Sequence, residues 1–292
     1  MRGWALTAAT GVALVALAIS DPAAAADVAT KAPPQPTPQA PSNTWTGFYV
    51  GANGGYGWKD PTVTFTPNDV TANNATCASL TGGTCAPPAS FGISGGLGGV
   101  EAGYNWQANQ SWLVGVETDF DWSRIRGAGT SNFLIDPLNF PPGTSSFSVN
   151  QNVDWFGTIR GRLGWMPVNS TLLFGTVGFA YGHVNENVAL NSTPNNNLGN
   201  GTFSFQCSAA GNCFSGASSR IATGWTAGGG IEHALWRNVS VKAEFLYVSL
   251  GGDTVRVTAL NTSVNGNTPS SFSAAFSRLD FYVARGGLNW RF

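Results

Sequence analysis

The chain has 292 residues, and its 14 Lys and Arg against 15 Asp and Glu leave a formal net charge of −1. Only 10% of residues are charged, against about 25% in ordinary soluble domains; glycine reaches 38, lysine is scarce, and mean hydropathy is close to zero. Such a balance gives no basis for nucleic acid or any other polyanionic partner.

Met1 and Arg2 open a short basic start, followed by an apolar stretch from Trp4 to Ile19 and the small-residue run Ala23-Ala24-Ala25-Ala26. This pattern predicts a signal peptide over 1–26, cut after Ala26 to leave Asp27 at the mature N-terminus. An uncleaved anchor helix is the alternative, but the stretch is short for a span of about 20 residues. Residues 27–44, DVATKAPPQPTPQAPSNT, are rich in proline and lack periodicity. They read as an extended periplasmic leader, a spacer rather than a partner-binding tract.

From Trp45 to Phe292 the chain alternates between two textures. Segments with period-two apolar patterning fall at about 45–58, 92–106, 111–124, 151–165, 171–184, 219–234, 239–256 and 277–292. The gaps after the second, fourth and sixth are short, at 107–110, 166–170 and 235–238. Those after the others are long and polar. No segment after Ile19 is apolar for long enough to span a bilayer as a helix, and within lipid only helices and closed barrels satisfy every backbone polar group. Alternating short and long connections between an even number of strands is the rhythm of an outer-membrane barrel, with short periplasmic turns and longer extracellular loops. The expectation is therefore an all-β, eight-stranded antiparallel transmembrane β-barrel in the cell outer membrane. Four loops, 59–91, 125–150, 185–218 and 257–276, would stand on the cell surface.

Alternation within the strands assigns two faces. In SWLVGVETDFDWSR (111–124), Trp112, Val114, Val116, Phe120 and Trp122 share one face, and Glu117, Asp119 and Asp121 share the other. VDWFGTIRGRLGW (153–165) sets Trp155, Ile159, Leu163 and Trp165 against Asp154, Arg160 and Arg162. SVKAEFLYV (240–248) sets Val241, Phe245 and Tyr247 against Lys242 and Glu244. A soluble barrel would be apolar inside, but a signal peptide and an apolar face ending in Trp or Tyr argue for the inverse. The inward set then comprises the acids Glu101, Glu117, Asp119, Asp121, Asp154, Glu232 and Glu244 and the bases Arg160, Arg162, Lys242 and Arg285. Inward glycines such as Gly51, Gly55, Gly103, Gly115, Gly164, Gly228 and Gly230 leave room for these long side chains.

Charges sealed in a narrow barrel must pair or reach water. They form either a packed salt-bridge plug or the lining of a narrow, cation-preferring pore. Strand count favours the plug, since wide aqueous lumens belong to barrels of about 16 or more strands. Cys77 and Cys85 flank one short segment and Cys207 and Cys213 another; two local disulfides are expected in an oxidising compartment, with other connectivities open. Neither pair has histidine at zinc-ligand spacing, so no metal or cofactor is predicted. His183 and His233 fall at opposite ends of their strands and cannot share a site. A lone His183 acting with a carboxylate or serine is conceivable, but no catalytic set can be assembled from the sequence, and no enzymatic activity is expected. GISGGLGG (92–99) and GWTAGGGIE (224–232) lack the strand-then-helix context of a phosphate loop.

TWTGFYVGANGGYGW (44–58) resembles the first strand of the OmpA-like barrels of alphaproteobacteria, the outer-membrane immunogenic or porin-family proteins. LLFGTVGFAYGHV (172–184), GWTAGGGIEHAL (224–235), VSVKAEFLYVSLG (239–251) and the start ADVATKAP (26–33) are similar too. The ending GGLNWRF (286–292), with Trp290 and Phe292, looks like the C-terminal signal read by the barrel-assembly machinery. The resemblance covers nearly all of the mature chain. It implies an eight-stranded barrel embedded in outer-membrane lipid and lipopolysaccharide, with no catalytic residue. Members are described as surface proteins supporting envelope integrity, some as haemin binders or weak pores. A structural and surface role leads; a diffusion pore and a loop-mediated receptor or adhesin are the alternatives, and the oligomeric state is left open.

Overall fold

A computed structural model of the chain describes residues 45–69, 77–78, 84–134, 144–193, 197–200, 203–206, 211–260 and 270–292. The predicted signal peptide, the leader and Cys207 lie outside the described residues. Among those described, no helix is long and apolar enough to cross a membrane.

The structure is all-β. In chain order the strands are β1 (Gly47–Lys59), β2 (Thr62–Pro67), β3 (Cys77–Ala78), β4 (Thr84–Cys85), β5 (Ala89–Ser90) and β6 (Ile93–Gln107). They continue with β7 (Trp112–Leu134), β8 (Thr144–Val168), β9 (Thr171–Thr193), β10 (Asn197–Asn200) and β11 (Phe203–Gln206). The last are β12 (Asn212–Ala234), β13 (Val239–Leu250), β14 (Asp253–Ala259), β15 (Ser271–Phe276) and β16 (Leu279–Arg291).

The long ladders are antiparallel and return on themselves. β1 pairs with β6, β6 with β7, β7 with β8, β8 with β9 and β9 with β12; β12 pairs with β13, β13 with β16, and β16 with β1. At the seam the Phe292 N–H donates to the Phe48 carbonyl at 3.0 Å. Short connections close β6–β7, β8–β9 and β12–β13 where the sequence places them. In the first, the Asn109 side chain accepts from the Ser111 and Trp112 N–H groups at 2.8 and 2.9 Å, an Asx arrangement that turns the chain.

The expected long loops are largely regular strand instead. β7, β8, β9 and β12 run on past the segments read from sequence, to Leu134, from Thr144, to Thr193 and from Asn212. β2 and β5 lie within the first expected loop, and β15 lies within the last. The seventh segment breaks at Gly251-Gly252, where β13 ends and β14 leaves to pair with Phe214 and Ser215 of β12 and then with β15. β15 pairs with β2, and β2 with β5. Here the apolar side chains are buried: Phe65 stacks on Phe147 with centroids 3.9 Å apart, and both pack on Phe272, beside Phe214. This outer extension has a conventional apolar core, whereas the ring below it does not.

Candidate functional site

The exposed face of the ring is apolar: Val100, Val116, Ile159, Leu163, Val177 and Ile221 each leave more than half their surface open. An apolar patch of this extent is costly in water and marks a face made for lipid or a partner. Trp106, Trp112, Trp165 and Trp290 stand toward the short turns, and Trp58, Trp122, Trp225 and Tyr282 toward the outer extension. Two girdles of ring side chains thus border the apolar band, as amphipathic rings do at membrane interfaces.

The inward face has three layers. Nearest the short turns, Trp45, Leu113, Met166, Leu172, Phe174 and Ala234 form an apolar floor. The Trp45 indole N–H donates to the Asn169 carbonyl at 3.0 Å, and the Arg291 guanidinium lies 4.2 Å from its ring centre. Farthest out, Leu97, Ile125, Phe156, Leu246, Phe281 and Val283 continue into the core of the extension.

The charges lie between these layers. Arg160 meets Glu117, Asp119 at 2.8 Å and Glu244 at 2.5 Å, with side chains fully buried. Arg285 spans Asp119 at 2.8 Å, Asp121 at 2.6 Å and Glu244 at 2.8 Å. Lys242 reaches Glu101 at 2.6 Å, Glu117 at 3.1 Å and Glu244 at 3.6 Å. Arg162 pairs with Glu232 and lies 4.0 Å from the ring centre of Phe174. Every carboxylate of this lattice meets a base, and several bases bridge more than one. The forked guanidinium suits this bridging, since it offers five donors in a plane.

Neutral side chains complete it. The Tyr49 hydroxyl donates to Glu117 at 2.6 Å, Thr158 to Asp119 at 2.8 Å, and Ser240 and Asn289 to Glu232 at 2.5 and 3.1 Å. Gly103 makes the first possible, because a Cβ there would collide with the Tyr49 hydroxyl oxygen. Sequence reasoning missed these partners, although Tyr49 and Asn289 share the inward parity of Gly51 and Arg285. Glu101, Glu117 and Glu244 place oxygens within 4.8 Å of one another, a spacing suited to a metal ion. The Lys242 ammonium stands against all three and supplies the cation itself.

Ten of the eleven predicted interior charges therefore meet, and Asp154 is the correction. Its side chain is 49% exposed and lies on the outer face. The β7–β8 register shifts between Trp122 and Ile125, and the β8–β9 register between Val153 and Trp155. A bulge inserts a residue and reverses the parity of the strand beyond it, so the alternation that holds through Arg160 fails before Trp155. Asp154 instead lies 3.0 Å from His183 Nδ1, and His183 Nε2 lies 3.2 Å from Ser219 Oγ. His233 is at the other end of the ring, 2.9 Å from Thr171 Oγ1.

Cys77 and Cys85 are Cα partners across β3 and β4, and Cys213 is buried. Trp290 and Phe292 are exposed at the end of β16.

An antiparallel sheet closed on itself, apolar without and ionic within, defines an outer-membrane barrel protein. The chain belongs to the outer membrane protein beta-barrel domain family, whose model matches residues 11–267. It is similar to the 31 kDa outer-membrane immunogenic protein of Brucella melitensis, at 32% identity over 96% of this chain and 98% of that protein. It is also similar to the 22 kDa outer membrane protein of Rhizobium leguminosarum, at 26% identity over 73% of this chain and 68% of the relative. Among solved structures, OprG from Pseudomonas aeruginosa aligns at a TM-score of 0.40 and 13% identity, over 85% of this chain and 97% of that one. The protein resides in the cell outer membrane.

Proposed function

We propose that the protein is an eight-stranded transmembrane barrel with a sealed interior and a structural, surface-presenting role in the envelope. The observation that carries this reading is the layered interior: a paired ionic lattice held between an apolar floor and an apolar roof. Ions crossing it would have to break buried pairs whose disruption costs about 3–5 kcal/mol each. Trp45, Phe292 and the short turns face the periplasm, and the extension stands on the cell surface. The cysteines close as two local disulfides that staple this outer part. Trp290 and Phe292 present the C-terminal strand to the assembly machinery, and the exposed bands contact lipid and lipopolysaccharide.

The extension also supports a receptor or adhesin role, because its packed core would hold surface loops in one conformation. Recording from the folded protein in a planar bilayer at neutral pH tests the sealed reading. Silence from folded protein agrees with it. Steady cation-preferring current would replace it with a diffusion pore lined by the carboxylates of the lattice.

A further inference from the structure

Asp154 on β8, His183 on β9 and Ser219 on β12 come together on the outer face, apart from the ionic lattice. His183 Nδ1 is 3.0 Å from Asp154 Oδ2, and Ser219 Oγ is 3.2 Å from His183 Nε2. Asn185 Nδ2 donates to the same Asp154 oxygen at 2.6 Å, and the Trp155 ring stacks on the imidazole at 5.9 Å with planes 13° apart. The carboxylate and the indole therefore fix the ring, with one nitrogen turned to a hydroxyl. A nucleophile within reach of a base, itself oriented by a third group, is the general arrangement for acyl transfer. We infer that Ser219, His183 and Asp154 form a serine-hydrolase site that cleaves fatty acyl esters of lipids in the outer leaflet.

The depth of the site selects the substrate class. Going toward the membrane centre, the next outward side chains are Trp155 on β8, Tyr181 on β9 and Ile221 on β12, with Trp225 two outward positions further along β12, so the site borders the outer ring of aromatics. Such residues mark the headgroup level, which is where the ester carbonyls of membrane lipids lie. Tyr181 also lines an apolar groove of about 770 Å³ on the membrane face with Phe120, Thr118, Ala102, Val100 and Val50, a course for an acyl chain.

The backbone offers a donor beside Ser219. β13 covers β12 from Gly224 inward and β14 covers it at Phe214 and Ser215; among the described residues no ladder covers the edge between them. The Gly251 N–H donates to the Thr223 carbonyl at 3.1 Å, so Thr223 turns its polar groups to that edge. Strand alternation turns those of Ile221 and Ser219 the same way. Alternate N–H groups on one strand stand about 6.6 Å apart, so the Ser219 N–H alone is the donor we assign to the oxyanion.

In the reaction, Ser219 Oγ bonds to the ester carbonyl carbon as His183 Nε2 takes its proton. The carbon–oxygen bond to the lipid alcohol then breaks, and His183 returns the proton to the departing oxygen. Water attacks the acyl-serine with the same base, releasing a fatty acid and restoring the serine. Ester and water give acid and alcohol, with no other co-reactant. Asp154 is a positioning residue that keeps His183 in its tautomer.

The test uses the full protein purified from outer membranes, reconstituted separately into vesicles of phosphatidylethanolamine and of lipid A. Fatty acid release is followed by mass spectrometry. Release from either is expected, and the substrate that yields it tells glycerophospholipid from lipid A esters. Ser219→Ala and His183→Ala should each lower the rate by at least about 10³-fold. Asp154→Asn should lower kcat with KM little changed, and Ser218→Ala, which points inward, should leave release intact. Asp154 and Ser219 are exposed and His183 is half-buried at the surface, so the variants should keep the heat-dependent gel shift of a folded barrel. Folded protein that releases no fatty acid from either lipid, or releases it equally well as Ser219→Ala, overturns the inference and leaves the sealed-barrel reading untouched.

Discussion

Replacing Arg160 by leucine probes the interior most directly. Its guanidinium bonds Glu117, Asp119 and Glu244, and it also donates to Thr176 at 3.0 Å. After the substitution each carboxylate keeps a partner: Lys242 for Glu117, and Arg285 for Asp119 and Glu244. The cost should therefore be that of one broken buried pair, about 3–5 kcal/mol, rather than three times that. For a domain of this size that corresponds to a fall in melting temperature of roughly 6–20 °C. Urea unfolding in phospholipid vesicles, followed by tryptophan fluorescence, reads the loss as a lower midpoint at unchanged slope. Arg160→Lys keeps the charge but not the fork, and should fall between wild type and leucine. An unchanged midpoint in Arg160→Leu would refute the lattice as a source of stability. A new steady current in a stable variant would show instead that the arginine had been blocking a path.

Other layers give three further outcomes. Trp45→Ala removes the largest side chain of the floor with its bond to Asn169, and should cost about 3–5 kcal/mol in the same unfolding assay. Phe272→Ala empties the centre of the outer core; limited proteolysis should then cut the extension faster while the ring stays folded and heat-modifiable. Glu186 lies beyond the outer aromatic girdle, where burial pushes its carboxyl up to about 7, against the hydrogen bond from Gln151. The folded state then holds the proton more tightly than the unfolded chain does, so the extension should lose stability as pH rises from 4.5 through 7. Glu186→Gln should flatten that dependence, as hydrogen exchange at the two ends of the window can establish.

Much of the ring is legible in local pattern. Glu117, Asp119 and Asp121 alternate with Val116, Thr118 and Phe120, and that period alone assigns the two faces of β7 within the membrane. The outer extension carries the same signal in disguise. Phe147 and Val149 alternate with Ser148 and Asn150, but asparagine and serine make the stretch look like loop. Polarity also reverses there: below the outer girdle the inward side chains are ionic, and above it they are apolar. One rule of polarity cannot cover both halves of a strand. Asp154 is misplaced by the sequence pattern because bulges are set by pairing and leave no mark in the alternation. The same bulge, with the register of three strands, brings Asp154, His183 and Ser219 within reach. No spacing along the chain encodes that meeting.

The pairing of β15 with β2 joins a segment just after the first strand to one just before the last. This surface is thus assembled from the two extremes of the polypeptide, and neither half resembles it alone. It comes into being only once the circuit has shut, as a clasp exists only on a fastened belt. Antibodies raised against that junction would ignore synthetic peptides from either side and would count finished molecules in a membrane, passing over those still being threaded into it.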